Sequence, residues 1–168
     1  MAVLVHSSSK SASLRSKAMA RGQRYFRKSL PDAQALSRRK HPDTHRCMSY
    51  FAATLRHQKR FKEAEQLQKP LLELRKDILG DDHQDTQNTV FYLGCNLYDQ
   101  NKWEEARGYF ETDLRYRKEF LGEKDQETLD CMNYLAGTFL HQGPYEEAKE
   151  IYTKICDIRR EVLGENHA

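Results

Sequence analysis

The chain has 168 residues, of which 38% are hydrophobic, 32% charged and 10% aromatic, with a mean hydropathy of -0.90. That length suits one domain or a piece of a larger array, and the aromatic content supplies a core to bury, which argues against disorder throughout. No apolar run approaches the ~20 residues of a membrane-spanning helix, and residues 1–5 are too short for a secretory apolar region, so the four cysteines are not expected to form a disulfide framework.

The net charge of +3 is unevenly placed. Residues 1–40 hold ten Lys and Arg against one acid, Asp32, for a net +9, and the remaining residues carry −6. A basic arm therefore precedes an acidic body. Residues 1–31 contain seven bases, seven serines and no acid, the composition of a transit peptide. A flexible basic tail that touches phosphates or an acidic membrane fits the same composition. A third reading of this stretch comes from the repeat that follows it.

From residue 41 onward the sequence repeats with a period of 42. Leu79-Gly80, Leu121-Gly122 and Leu163-Gly164 share one register, as do Tyr50, Tyr92 and Tyr134. So do Gln58, Gln100 and Gln142, the pairs Glu63-Ala64, Glu105-Ala106 and Glu147-Ala148, and Arg75, Arg117 and Arg159. His41-Pro42-Asp43-Thr44, His83-Gln84-Asp85-Thr86 and Asp125-Gln126-Glu127-Thr128 open the three copies. Such a period marks a stacked array, because one copy cannot bury its apolar faces alone.

Each copy reads as two helices, A and B. Pro42 suits the first turn of its helix, where a missing N–H costs nothing. In the third copy helix A runs from about Gln126 to His141, with Met132, Leu135, Ala136 and Phe139 at helical spacing. Gly143-Pro144 breaks the chain, and helix B runs from about Tyr145 to Leu163. Its stripe is Ala148, Ile151, Tyr152, Ile155, Ile158 and Val162, and Gly164 fits a left-handed helix end. Ala52, Gly94 and Ala136 hold one helix A position and Ala64, Ala106 and Ala148 one helix B position. Small residues at both places allow close helix approach, with Leu55, Leu97 and Phe139 filling the groove beside them.

The two ends are read against this register. Shifted back one period, Gly22 takes the alanine position and Phe26 the aromatic one, so residues 18–30 fit a degenerate helix B ended by Pro31. The predicted organisation is a basic flexible arm at 1–17, a degenerate capping helix and linker at 18–40, and three repeats over 41–168 (41–82, 83–124 and 125–168). Gly164-Glu165-Asn166-His167-Ala168 is similar to the opening of a fourth copy. The expectation is a fragment of a longer array, or a last helix that pairs with another chain, including self-association through an uncapped repeat.

No catalytic or metal constellation stands out, so neither an enzyme nor a cofactor is predicted. Cys47 and Cys131 share one register on the helix A stripe and read as small core residues; Cys95 and Cys156 form no C-x-x-C. His41 and His45 are four apart, but no third ligand is obvious and the repeat itself explains His41. The phosphate-binding glycine motifs are missing.

These residues resemble the tetratricopeptide repeat in the 42-residue form seen in kinesin light chains and related proteins. The best match is Met132-Asn133-Tyr134-Leu135-Ala136, Gln142-Gly143, Tyr145-Glu146-Glu147-Ala148, Ile158-Arg159-Arg160-Glu161 and Leu163-Gly164. The resemblance spans residues 41–164 and implies an all-α, right-handed superhelical solenoid of about three helix-turn-helix repeats plus an N-terminal helix. Four residues depart from it or vary it. Gln68 replaces the aromatic of Phe110 and Tyr152, and Asp113 stands where a small or apolar residue is preferred. Pro70 lies inside the first helix B, where a kink is expected. Trp103 is expected to pack at its helix start, like Phe61 and Tyr145.

Proteins of this family bind peptides in a concave groove lined by helix A. Carried over by position, the groove residues would be Arg46, Ser49, Ala53, Arg56 and His57 in the first copy. In the second they would be Asn88, Phe91, Cys95, Tyr98 and Asp99, and in the third Asp130, Asn133, Gly137, Leu140 and His141. Asn133 matches an asparagine that contacts peptide backbone in kinesin light chains, whereas Ser49 and Phe91 do not. The resemblance implies an interaction scaffold in the cytoplasm, and organelle targeting by the N-terminus is the rival location. The graded groove (basic, then aromatic, then acidic) suits a protein or peptide partner with acidic residues and an apolar anchor. The alternatives are nucleic-acid or acidic-membrane binding through the +9 arm, with nucleic acid the less favoured, or a fragment of a larger regulatory protein that contains tetratricopeptide repeats.

Overall fold

A computed structural model of the chain describes residues 41–164. Among them the regular structure is six helices and no strand: α1 (Pro42–His57), α2 (Phe61–Leu79), α3 (Gln84–Asp99), α4 (Trp103–Phe120), α5 (Gln126–Gln142) and α6 (Tyr145–Leu163). This is an all-α array of helix-turn-helix repeats. The arm and capping helix expected over 1–40 lie outside the described residues. The described residues divide into two compact units, with the boundary between Leu74 and Arg75 inside α2.

In the first unit Phe51, Ala52 and Leu55 of α1 pack against Ala64 and Leu67 of α2, with Met48 at the edge. Pro42 occupies the first turn of α1, and His41 caps it by accepting from the Asp43 N–H through Nδ1 at 3.2 Å. The chain leaves α1 through Lys59, which sits at φ 60°. Its repeat equivalents, Asn101 at φ 61° and Gly143 at φ 106°, are left-handed too. The A-to-B turn is thus one conformation met by three residue types, at rising cost from glycine to asparagine to lysine. Helix α2 runs unbroken through Pro70, which is exposed. Gln68, at the position of Phe110 and Tyr152, is buried with its Oε1 unpartnered.

In the second unit α3 packs on α4, α4 on α5 and α5 on α6. Gly94 of α3 lies flat on the Phe110 ring, so close that a Cβ there would meet ring carbon at 2.8 Å. Ala106, Ala136 and Ala148 are fully buried, as the close-approach argument requires. Leu129 and Met132 of α5 pack with Ile155 and Ile158 of α6, and Leu114, Ile151 and Tyr152 flank them. Helix starts repeat the cap of the first unit: His83 Nδ1 accepts from the Asp85 N–H at 3.1 Å, and Asp125 Oδ1 from the Glu127 N–H at 2.8 Å. All four cysteines are free thiols; Cys95 and Cys131 are buried, Cys47 half-buried and Cys156 exposed.

Candidate interaction surface

The predicted groove residues of the second unit come from α3 and α5, and Trp103 at the start of α4 joins them. Phe91 meets the Tyr134 ring edge-on at 5.6 Å, and Tyr98 meets the same ring edge-on at 5.7 Å. The Tyr98 hydroxyl lies 3.1 Å from His141 Nε2, and Trp103 stacks on His141 at 4.6 Å and 6°. The result is a run of rings, Phe91–Tyr134–Tyr98–His141–Trp103, crossing three helices. Edge-to-face pairs of this kind stabilise beyond the area they bury, so each ring supports the placement of its neighbour. Burial pushes the Tyr98 hydroxyl above its ordinary range.

Not every predicted position is open. Cys95 and Gly137 are buried, and a Cβ on Gly137 would meet the Tyr98 hydroxyl at 2.8 Å. Asn133, Leu140, His141 and Asp130 are exposed, while Asn88, Phe91, Tyr98 and Asp99 are half-buried. Asp130 accepts from Gln126 Nε2 at 2.7 Å. In the first unit Arg46 is exposed and bridges Asp43 at 2.8 Å. The Ser49 hydroxyl donates to the His45 carbonyl, Ala53 and Arg56 are half-buried, and His57 is exposed. His41 and His45 do not pair as ligands: His41 caps α1 and His45 is buried. Among the described residues no three His, Cys, Asp or Glu side chains converge on a metal position.

Beneath the ring run lies an ionic cluster that sequence reasoning did not assemble. Arg117 of α4 is buried, with Nε 2.5 Å from Asp113 Oδ2 and Nη1 2.5 Å from Glu127 Oε2. Its Nη2 reaches Asn88 Oδ1 at 3.5 Å, and the guanidinium sits 4.8 Å above the Phe91 ring. One arginine therefore orients two of the proposed surface residues from below. Burial pushes the Asp113 carboxyl above the usual carboxylate range, against the pull of Arg117. Burial also opposes the charge on Arg117, but Asp113 and Glu127 outweigh it and hold the guanidinium charged. Two sequence signals pointed here, the off-pattern Asp113 and the Arg75–Arg117–Arg159 register. Neither says that the two side chains meet. Tyr134 was visible as a repeated tyrosine within the family pattern and not as a surface residue.

The sequence profile of the tetratricopeptide repeat family matches residues 45–119 and 97–161. No curated protein gives a significant sequence match. Among solved structures the chain is similar to a putative kinesin light chain from Podosopora anserina with nearly identical TPR-like repeats. The likeness has 17% identity and a TM-score of 0.71, over 95% of this chain and 70% of that one. A substituted form of that protein gives 16% and 0.66, over 92% and 68%. BtubC (BKLC) from P. vanneervenii gives 18% and 0.68, over 90% of this chain and 56% of that one. At these identities the likeness is one of fold.

Proposed function

This chain belongs to the tetratricopeptide repeat family, a frame for protein interaction, and from that premise we propose that it binds a peptide or partner helix through the helix A side chains. The carrying observation is the ring run Phe91–Tyr134–Tyr98–His141–Trp103, flanked by exposed Asn133 and Leu140. Large pre-ordered rings bury much area at little entropic cost, which is what an apolar anchor on the partner needs. In the first unit, Arg46 and Arg56 are the positive side chains that the repeat register places on helix A. No catalytic step is part of the proposal. The three repeats are assigned to 41–82, 83–124 and 125–168, and residues 1–17 and 18–40 to an arm and a capping helix.

Selection of binders from a diverse peptide library on the full chain tests the reading. Leu140→Ala and His141→Ala each leave the core intact and are expected to weaken the selected peptide about tenfold or more. A folded chain that selects nothing, or binders indifferent to both changes, overturns it.

A second reading rests on the +9 arm. It predicts anion binding that falls steeply with salt and disappears when residues 1–40 are removed. Binding that ignores salt excludes it. Among the described residues no helix is long and apolar enough to cross a membrane. We place the scaffold in the cytoplasm; an organelle location that depends on residues 1–31 in imaging experiments would revise that.

A further inference from the structure

The ring run carries an acid on each of its helix A stripes. On α3 the stripe that holds Phe91 and Tyr98 ends in Asp99, and on α5 the stripe that holds Tyr134 and His141 begins with Asp130. Burial, and after it the neighbouring Tyr152, Tyr134 and Asp99, holds the Tyr98 hydroxyl above its ordinary range, so the Asp99 charge lies within electrostatic reach of the rings. At the far end Glu104 follows Trp103 and accepts from Gln142 Nε2 at 2.8 Å, beside the Trp103–His141 stack. No lysine or arginine stands at the carried-over positions of either stripe. Two arginines approach the run, and each is already matched by two acids. Arg117 is buried under Phe91 between Asp113 and Glu127. Arg107 is held by Glu104 at 2.5 Å and by Glu111 at 3.8 Å. Lys102, at the start of α4, is half-buried and engaged in an interaction of its own.

We propose that the partner segment covering this run carries a basic side chain, an arginine or lysine next to its apolar anchor, and that Asp99, Glu104 and Asp130 receive it. The proposal rests on the peptide-binding reading above and goes beyond it by fixing the sign of the partner's charge over the second unit. Three physical terms favour a cation there. The ring faces are electron-rich and attract one. A guanidinium can lie on a ring and reach a carboxylate at the same time. An acidic residue in that place would meet carboxylates of its own sign, which costs binding. The sequence expectation of acidic residues on the partner draws on the cations of the first copy. Over the second unit the one arginine beneath the rings is buried and bound on both sides, so it has no charge to spare for such a residue.

Peptides selected from a diverse library on the full chain test the proposal. Those weakened by Leu140→Ala or His141→Ala are expected to hold an arginine or lysine. Exchanging that base for glutamine in the peptide is expected to weaken binding about fivefold or more at low salt and far less at high salt. Asp99→Asn and Glu104→Gln are each expected to weaken the parent peptide severalfold and to leave the glutamine peptide nearly unaffected, the signature of direct coupling. Glu119→Gln, exposed at the other end of α4, changes the net charge equally and is expected to change neither peptide. The exchange in the peptide needs no altered protein, so it remains decisive where a variant fails to fold. Peptides that depend on the ring run but hold no base, or that tolerate its loss, overturn this proposal and leave the peptide-binding reading standing. An effect of Glu119→Gln equal to that of Asp99→Asn and Glu104→Gln also overturns it, by showing the field of the whole chain at work. A folded chain that selects nothing overturns both.

Discussion

At the scale of single residues, the Asp113–Arg117 pair governs the second unit. Arg117 ties three helices together through Asp113, Glu127 and Asn88. A buried pair contributes little over an apolar replacement, but removing one partner leaves a bare charge. Arg117→Met is therefore expected to destabilise the chain by about 3–5 kcal/mol at neutral pH, read by urea unfolding. Its pH dependence follows from the carboxyl. Burial already raises Asp113 above its unfolded value, and loss of Arg117 raises it further. A carboxyl raised in the fold weakens stability as pH rises through that window. The deficit of the variant is thus expected to shrink toward acid pH and widen toward neutral; a deficit independent of pH would show that Asp113 is not the cause. Gly94→Ala acts by shape alone. The added methyl would meet the Phe110 ring at 2.8 Å, in a core where the ring is also stacked on Tyr134. The expected loss is about 1–3 kcal/mol in the same measurement.

At the scale of elements, the turn between helices A and B is a fixed conformation that the sequence fills with varying success. Lys59, Asn101 and Gly143 occupy it with positive φ. Lysine has no local compensation for that conformation, so Lys59→Gly is expected to stabilise the first unit by about 0.5–1 kcal/mol in thermal or urea unfolding. No gain would mean that glycine's extra freedom in the unfolded chain offsets the relief. Gly143 shows how legible such points are: Gly143-Pro144 announced its break from sequence, while Lys59 did so only through the period that aligns it with Gly143. Pro70, where the sequence predicts a kink, lies inside α2 on its exposed side, and the helix spans Phe61–Leu79.

At the scale of the whole molecule, stability in a stacked array is a sum of helix pairs and the interfaces between neighbours. In the second unit α4 is covered by α3 and α5, while α6 is covered by α5 with Arg159, Cys156 and Val162 exposed. Amide exchange is expected to be slowest in Trp103–Phe120 and clearly faster in Tyr145–Leu163; equal protection of the two would argue for global rather than graded opening. The period of 42, the helix pairs, the small residues at close approach and the fold class were all legible in the sequence, because each is a local pattern repeated three times. The candidate surface residues were named by carrying the family's groove positions over in register, since a shared period places equivalent residues on equivalent faces. Tertiary structure decided the rest. It closed Cys95 and Gly137 off, drew Tyr134 and Trp103 into the ring run, and set Asp113 on Arg117 under Phe91 and Asn88. The physical reason is that periodicity fixes a side chain's direction from its own helix. Which groups meet across helices, and which charges lose their water, depends on how neighbouring helices pack, and that is settled only when the array is assembled.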